Sequence, residues 1–153
     1  MPLVAHAAVS FGYQYRSRAV LGAPEDDAAP LLPDQLTGAP GTRAPHVVIE
    51  RGGERVSTLD LYGRRFVLLT GPDGGAWATA AQTVAEDLGV PLGFHRIGAD
   101  LVDVAGPFGD AYRLGPAGAV LVRPDGFVAW RHPGGTAEPE EALAHVLAAI
   151  LAR

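Results

Sequence analysis

A strand, a tight turn and a helix follow one another between Arg65 and Leu88, and this segment limits the folds open to the chain. The apolar run Phe66–Thr70 predicts a buried strand, and the Gly- and Pro-rich stretch 71–75 predicts the turn. The helix ends at Gly89, a favourable C-terminal cap, and its apolar face comprises Trp77, Ala80, Ala81, Val84 and Leu88. The whole chain lacks cysteine, so thiol chemistry is excluded.

The remaining elements complete a recognisable order. The patterns predict strands at His46–Glu50, Glu54–Ser57, Leu92–Ile97, Ala119–Arg123 and Phe127–Trp130, a loop with a short helix in Asp103–Tyr112, and a final helix from Glu138–Pro139. The strands on either side of Pro124-Asp125-Gly126 form a hairpin, for which this turn is a strong signal. A parallel βαβ unit followed by an antiparallel hairpin and a covering helix is the thioredoxin topology. We therefore predict an α/β, thioredoxin-like fold, with a mixed central sheet flanked by helices, no redox cysteines and an extended N-terminal arm.

The chain divides into an arm and a domain. Residues 1–45 are predicted to form an N-terminal strand, around Phe11–Val20, and a Pro/Gly-rich arm without apolar periodicity. Residues 46–153 are predicted to form the thioredoxin-like domain. The strand has no obvious partner beside it, so it needs something to pair with.

Charge and hydropathy exclude several classes of partner. The net charge of -5 argues against nucleic-acid binding, which usually leaves a basic surface stripe. The longest apolar run is too short to span a membrane, which takes about 20 residues. The first residues lack the basic start and long apolar stretch of a secretory signal, so we expect a cytoplasmic protein.

Four residues are candidates for a ligand pocket: Asp73, Trp77, His95 and Trp130. Asp73 lies in the turn, where a helix N-terminus can hold a phosphate, but the P-loop and GxGxxG motifs are missing. The ordinary interpretation is a tight turn in which Asp73 caps the helix. His95 lies in a predicted buried strand, where it could meet Asp73 or Asp100 at the strand ends. It could act as a general base or be a hydrogen-bonded core residue. The two tryptophans could stack on an aromatic ligand or anchor the core. The five histidines are scattered without metal-ligand spacing, so no metal site is predicted. The sequence shows no Ser-His-Asp order and no nucleophile elbow, so no catalytic residue is predicted.

Several strings resemble one family: 13–20 (YQYRSRAV), 40–46 (PGTRAPH), 57–63 (STLDLYG), 68–74 (LLTGPDG) and 120–131 (VLVRPDGFVAWR). Together they resemble the C-terminal region of FAD-dependent aromatic polyketide hydroxylases, flavin monooxygenases related to p-hydroxybenzoate and phenol hydroxylases that act on polyketide antibiotic intermediates in actinomycetes. The resemblance implies a thioredoxin-like domain without redox cysteines. It also implies that this chain binds no cofactor itself, since FAD and substrate would be bound by preceding domains, whose flavin motifs have no counterpart here.

Two interpretations stay open. In the first, the chain is a non-catalytic module that docks against a flavin hydroxylase or dimerises with itself, which would give the N-terminal strand a partner. In the second, it is a free-standing, cofactor-independent enzyme or binding protein for an aromatic polyketide, with its pocket near Asp73, Trp77, His95 and Trp130. The sequence alone does not decide whether the chain is an enzyme.

Overall fold

The computed structural model describes residues 36–104 and 108–151. In these ranges the strands are β1 (Val48–Arg51), β2 (Glu54–Ser57), β3 (Phe66–Thr70), β4 (Leu92–Arg96), β5 (Val102–Asp103), β6 (Ala119–Val122) and β7 (Val128–His132). The α-helices are α1 (Gly75–Leu88), α2 (Phe108–Tyr112) and α3 (Pro139–Leu151), and a 3₁₀ helix spans Thr58–Leu61. The predicted strand at 11–20 and most of the predicted arm lie outside the described residues.

The central sheet has the strand order β4-β3-β6-β7. β3 and β4 are parallel and are connected through α1, whereas β6 runs antiparallel to both β3 and β7. This is the predicted βαβ unit followed by a hairpin, with α3 completing the fold. The prediction of a thioredoxin-like α/β fold is therefore confirmed.

Helix α1 forms as its sequence predicts. Its buried residues are Trp77, Ala80, Ala81 and Val84, which recur at helical spacing and face the sheet. The helix ends because Gly89 adopts a left-handed backbone, with φ of 62°, and its N–H bonds back to the last turn. Leu88, the fifth residue of the predicted stripe, is only partly buried.

The two faces of the central sheet carry different layers. Leu68 points towards α1 and α3, while its neighbours Val67 and Leu69 point the other way, as alternation along a strand requires. The second face is covered by α2 and by a smaller sheet with the order β2-β1-β5. The hairpin of β1 and β2 was predicted. The two-residue strand β5, which pairs with β1, differs from the prediction, because the sequence predicts a loop at Asp103 and no element at Val102.

Residues 41–44 pack along β7 and the turn before it. Gly41 N–H donates to the Val128 carbonyl at 2.9 Å, and Val128 N–H donates to the Thr42 carbonyl at 2.8 Å. Ala44 N–H donates to the Gly126 carbonyl, also at 2.8 Å. The end of the predicted arm therefore makes backbone hydrogen bonds to the domain. Within the described ranges, no helix is both long enough and apolar enough to cross a lipid bilayer.

Candidate functional site

The turn before α1 occupies the position at which thioredoxin folds place a reactive group. The N-cap of α1 is Gly74, and no side chain hydrogen-bonds to the cap, so the expectation that Asp73 caps this helix was wrong. Asp73 is exposed, and its backbone N–H donates to the Pro116 carbonyl at 2.9 Å. A side chain at Gly74 would overlap Thr70, which is fully buried beneath the turn.

The loop at residues 115–118 lies directly against this turn. The indole Nε1–H of Trp77 donates to the Ala117 carbonyl at 2.9 Å. A Cβ atom at Gly71 would overlap the backbone of Pro116, and one at Gly118 would overlap the Pro133 carbonyl. Backbone is thus packed on backbone at this place, and close approach rather than reactivity accounts for the glycines.

Two of the four candidate pocket residues meet in an aromatic cluster with His132. The ring centroids of Trp77 and Trp130 lie 5.7 Å apart in an edge-to-face arrangement, and each lies 5.8 Å from the His132 ring. Trp77 is 2% exposed, whereas Trp130 and His132 are half-buried. Edge-to-face packing of aromatic rings stabilises the hydrophobic core at its boundary with solvent. It also leaves part of Trp130 accessible from outside.

His95 lies on the other face of the sheet. It pairs in register with Leu69, which belongs to the opposite core layer, while its neighbour Phe94 packs towards the helices. Burial lowers the pKa of His95, and the nearby charges of Arg51 and Arg65 lower it further. His95 is therefore neutral at pH 7.

Neither aspartate that the sequence suggested as a partner engages His95 in a hydrogen bond. Asp100 instead accepts hydrogen bonds from Arg96, with the closest side-chain pair 3.0 Å apart, and these bonds lower the pKa of its carboxyl group. Asp73 lies at the turn before α1, on an exposed surface. The structure thus joins Trp77 with Trp130 and separates them from His95, and a ligand role for the four residues stays a prediction.

A surface groove of about 450 Å³ lies elsewhere, at one end of the domain. Its walls are residues 43–46, residues 59–63 and the hairpin turn 124–126, with Leu36 at the edge; not every residue in these ranges contributes to the lining. We call this feature the Arg43 groove. Its walls lie in three of the strings that carry the family resemblance, namely 40–46, 57–63 and 120–131. The sequence alone did not indicate that these three strings form one site.

A chain of hydroxyl groups holds two walls of the Arg43 groove together. Tyr62, a lining residue, donates its hydroxyl to that of Tyr112 across 3.1 Å, and Tyr112 donates to the Pro45 carbonyl at 2.5 Å. The Thr58 hydroxyl donates to the same carbonyl at 3.0 Å. Burial raises the pKa of Tyr112 to about 12, and burial together with Tyr112 raises the pKa of Tyr62 well above its usual value. Both tyrosines are hence protonated donors at neutral pH.

A capping box sets the rim of the Arg43 groove. The Ser57 hydroxyl accepts from Leu59 N–H at 3.0 Å, and the Asp60 carboxylate accepts from Ser57 N–H at 2.8 Å. His46 Nδ1 lies 2.6 Å from the Ser57 hydroxyl and ties the neighbouring wall to the same residue. This short helix presents the Leu59 side chain to solvent, with 46% of the residue exposed.

Arg43 is a charged residue in the lining of the groove, and one of its nitrogen atoms has no hydrogen-bond partner. Its guanidinium carbon lies 4.8 Å from the centroid of the Phe127 ring, a cation–π contact. Its Nε atom is buried and has no hydrogen-bond partner. The nearby Asp125 carboxylate is engaged by Arg123 at 2.7 Å and by Phe127 N–H at 3.3 Å.

Fold and site together define the chain as a cysteine-free, thioredoxin-like domain with an apolar surface groove that lies away from the turn before α1. The family model described as "Aromatic-ring hydroxylase, C-terminal" matches residues 37–153. The chain therefore belongs to the aromatic-ring hydroxylase C-terminal family.

Similar proteins agree with this family assignment. The chain is 52% identical to the tetracenomycin A2 monooxygenase-dioxygenase of Streptomyces glaucescens, over 95% of this chain and 26% of that protein. It is 45% identical to the aklavinone 12-hydroxylase of Streptomyces purpurascens, over 93% of this chain and 26% of that protein.

A crystal structure of aklavinone-11 hydroxylase in a ternary complex with FAD and aklavinone superposes with a TM-score of 0.92 at 43% identity, covering 97% of this chain and 28% of that one. The chain thus spans about a quarter of the length of the relatives that it matches.

Proposed function

We propose that this chain is the non-catalytic C-terminal module of a flavin-dependent aromatic polyketide hydroxylase, and that it acts by docking on the part of the enzyme that binds FAD and substrate. One observation carries the proposal: residues 37–153 match the C-terminal family model, yet the chain covers only 26% of a relative such as the tetracenomycin A2 enzyme. The monooxygenase reaction of such an enzyme would then take place outside these residues. The enzyme would act in the biosynthesis of polyketide antibiotics.

The redox position supports a structural role. A thioredoxin-type reaction needs a thiolate at the N-terminus of α1, and this chain has no cysteine. The loop at residues 115–118 is hydrogen-bonded to the turn through Asp73 and Trp77. Such packing favours a domain that is retained for its shape and surface.

A second function is supported by the cluster of Trp77, Trp130 and His132. Half-buried aromatic rings can stack on a planar polyketide, so the free chain could bind such a molecule without a cofactor. The domain would then show saturable quenching of tryptophan fluorescence with aklavinone. The docking proposal predicts no saturable quenching by the isolated chain.

A chimera tests the docking proposal. The C-terminal quarter of the S. purpurascens aklavinone 12-hydroxylase would be removed or replaced by residues 37–153 of this chain, and bound FAD and aklavinone hydroxylation would be measured. We expect the truncated enzyme to lose activity and the chimera to recover most of it. A cysteine-free variant of an ordinary thioredoxin, fused at the same point, is the matched control and should restore nothing. Full activity of the truncated enzyme would contradict the proposal.

A further inference from the structure

We propose that the Arg43 groove is the surface through which this domain docks, and that its occupant is a segment of the flavin- and substrate-binding part of the hydroxylase. The segment would bring an apolar side chain against Leu59 and an oxygen acceptor to the Nε–H of Arg43. This inference rests on the proposed function and adds to it the surface, the anchor residues and the chemistry of the partner.

The rim of the Arg43 groove carries an exposed apolar side chain, that of Leu59. Leu59 is 46% exposed, and the capping box at Ser57 and Asp60 fixes it in that position. Burying such a side chain against a partner removes apolar surface from water. A fixed, exposed leucine beside a groove of about 450 Å³ is the geometry of an anchor at a protein interface.

Arg43 indicates that the partner should bring a hydrogen-bond acceptor into the groove. Its Nε–H is buried without an acceptor, which costs free energy in the isolated domain. Asp125, the carboxylate in the groove lining, is already paired with Arg123. A carbonyl or carboxylate oxygen from a partner would complete the hydrogen bonding of Arg43, and a bond to a charged donor is among the stronger ones.

The path of the chain indicates which partner fills the groove. Leu36 lines the groove and comes directly before the residues that match the family model, so the preceding polypeptide joins the matched domain at this edge. The matched region is the C-terminal one, and about three quarters of each relative lies outside it. The preceding part of a hydroxylase is thereby held near the groove at a high effective concentration.

Binding in trans tests this surface. The 153-residue chain would be titrated into the S. glaucescens relative from which the homologous C-terminal quarter has been deleted, and the dissociation constant measured by calorimetry. Leu59→Glu is the test variant. Val102→Glu is the matched control, because Val102 is also exposed, at 56%, lies on β5 outside the groove and receives the same charge. Thermal unfolding of both variants checks that each is folded.

We expect Leu59→Glu to weaken binding by about 10-fold or more, and Val102→Glu by less than about 2-fold. Arg43→Lys keeps a cation near Phe127 but removes Nε, and it should also weaken binding by about 10-fold. Equal binding by the wild type and both groove variants would overturn the groove assignment and leave the docking function standing. No binding by the wild-type chain would overturn both. A wild-type dimer dispersed by Leu59→Glu would show that a second copy occupies the groove, which also overturns the inference.

Discussion

Replacing Tyr112 by phenylalanine should destabilise the wall of the Arg43 groove by a predictable amount. The Tyr112 hydroxyl accepts a hydrogen bond from Tyr62 and donates one to the Pro45 carbonyl. Its removal leaves the Tyr62 hydroxyl without an acceptor, whereas Pro45 keeps the bond from Thr58. We expect a loss of about 1–2 kcal/mol in the free energy of unfolding, because an unmet donor costs more than a lost bond. Tyr62→Phe leaves no unmet donor and should cost about 0.5–1 kcal/mol.

The same variant should change how stability depends on pH. Burial raises the pKa of Tyr112 to about 12, while an exposed tyrosine in the unfolded chain titrates near its usual value of about 10. Between these two values the unfolded chain has released a proton that the folded chain keeps. The free energy of unfolding therefore falls as the pH rises above about 10, at up to about 1.4 kcal/mol per pH unit for this residue. Below pH 10 the contribution is complete.

Urea unfolding followed by far-UV circular dichroism at pH 8 and pH 11 measures both effects. The wild type should lose about 1.4 kcal/mol more than Tyr112→Phe between the two pH values, from the titration of Tyr112 alone. The titration of Tyr62, whose pKa is also raised, adds to the loss in the wild type, so Tyr62→Phe should reduce the drop as well. An identical drop in the wild type and in Tyr112→Phe, or no loss of stability at pH 8, would refute this account of the wall.

Three further predictions concern the core and the loop at residues 115–118, which packs on the turn before α1. Trp77→Phe removes the indole bond to the Ala117 carbonyl and part of the packing, and calorimetry should show a loss of about 1–3 kcal/mol. Gly118→Ala forces a Cβ atom onto backbone and should cost about 1–3 kcal/mol in urea unfolding, whereas Gly134→Ala, with open space around it, should stay within about 0.5 kcal/mol. Leu143→Ala opens a cavity under α3 and should cost about 2–5 kcal/mol, and a smaller value would mean that the site collapses around it.

The fold was predictable where its signals are local. Strand β3 has the bounds that its apolar run predicts, and α1 ends where Gly89 can adopt a left-handed backbone. Strand β5 was missed, because Val102 and Asp103 are too few to show any alternation and become a strand only by pairing with β1. The start of α1 also differs from the prediction. Asp73 lies beside a glycine-rich turn and suggested a side-chain cap, but the N-cap residue is Gly74 and no side chain hydrogen-bonds to the cap.

The candidate site was harder to predict because it depends on contacts between distant segments. The sequence shows that Phe94 and His95 face opposite ways, but not which of them faces the helices, and His95 lies away from Trp77. The Arg43 groove joins residues 43–46 to the turn 124–126, which are far apart in the chain. The signal that could have indicated it is that all three of its walls lie in strings that resemble one family.

The central claim is that this domain works through its surface on a flavin enzyme and performs no flavin chemistry itself. Its most direct test is to titrate the purified chain with FAD and, separately, with a related hydroxylase that lacks its own C-terminal quarter. We expect no saturable binding of FAD and saturable, one-to-one binding of the truncated enzyme. Tight binding of FAD by the isolated chain, or hydroxylation of an aromatic polyketide by it, would contradict the account.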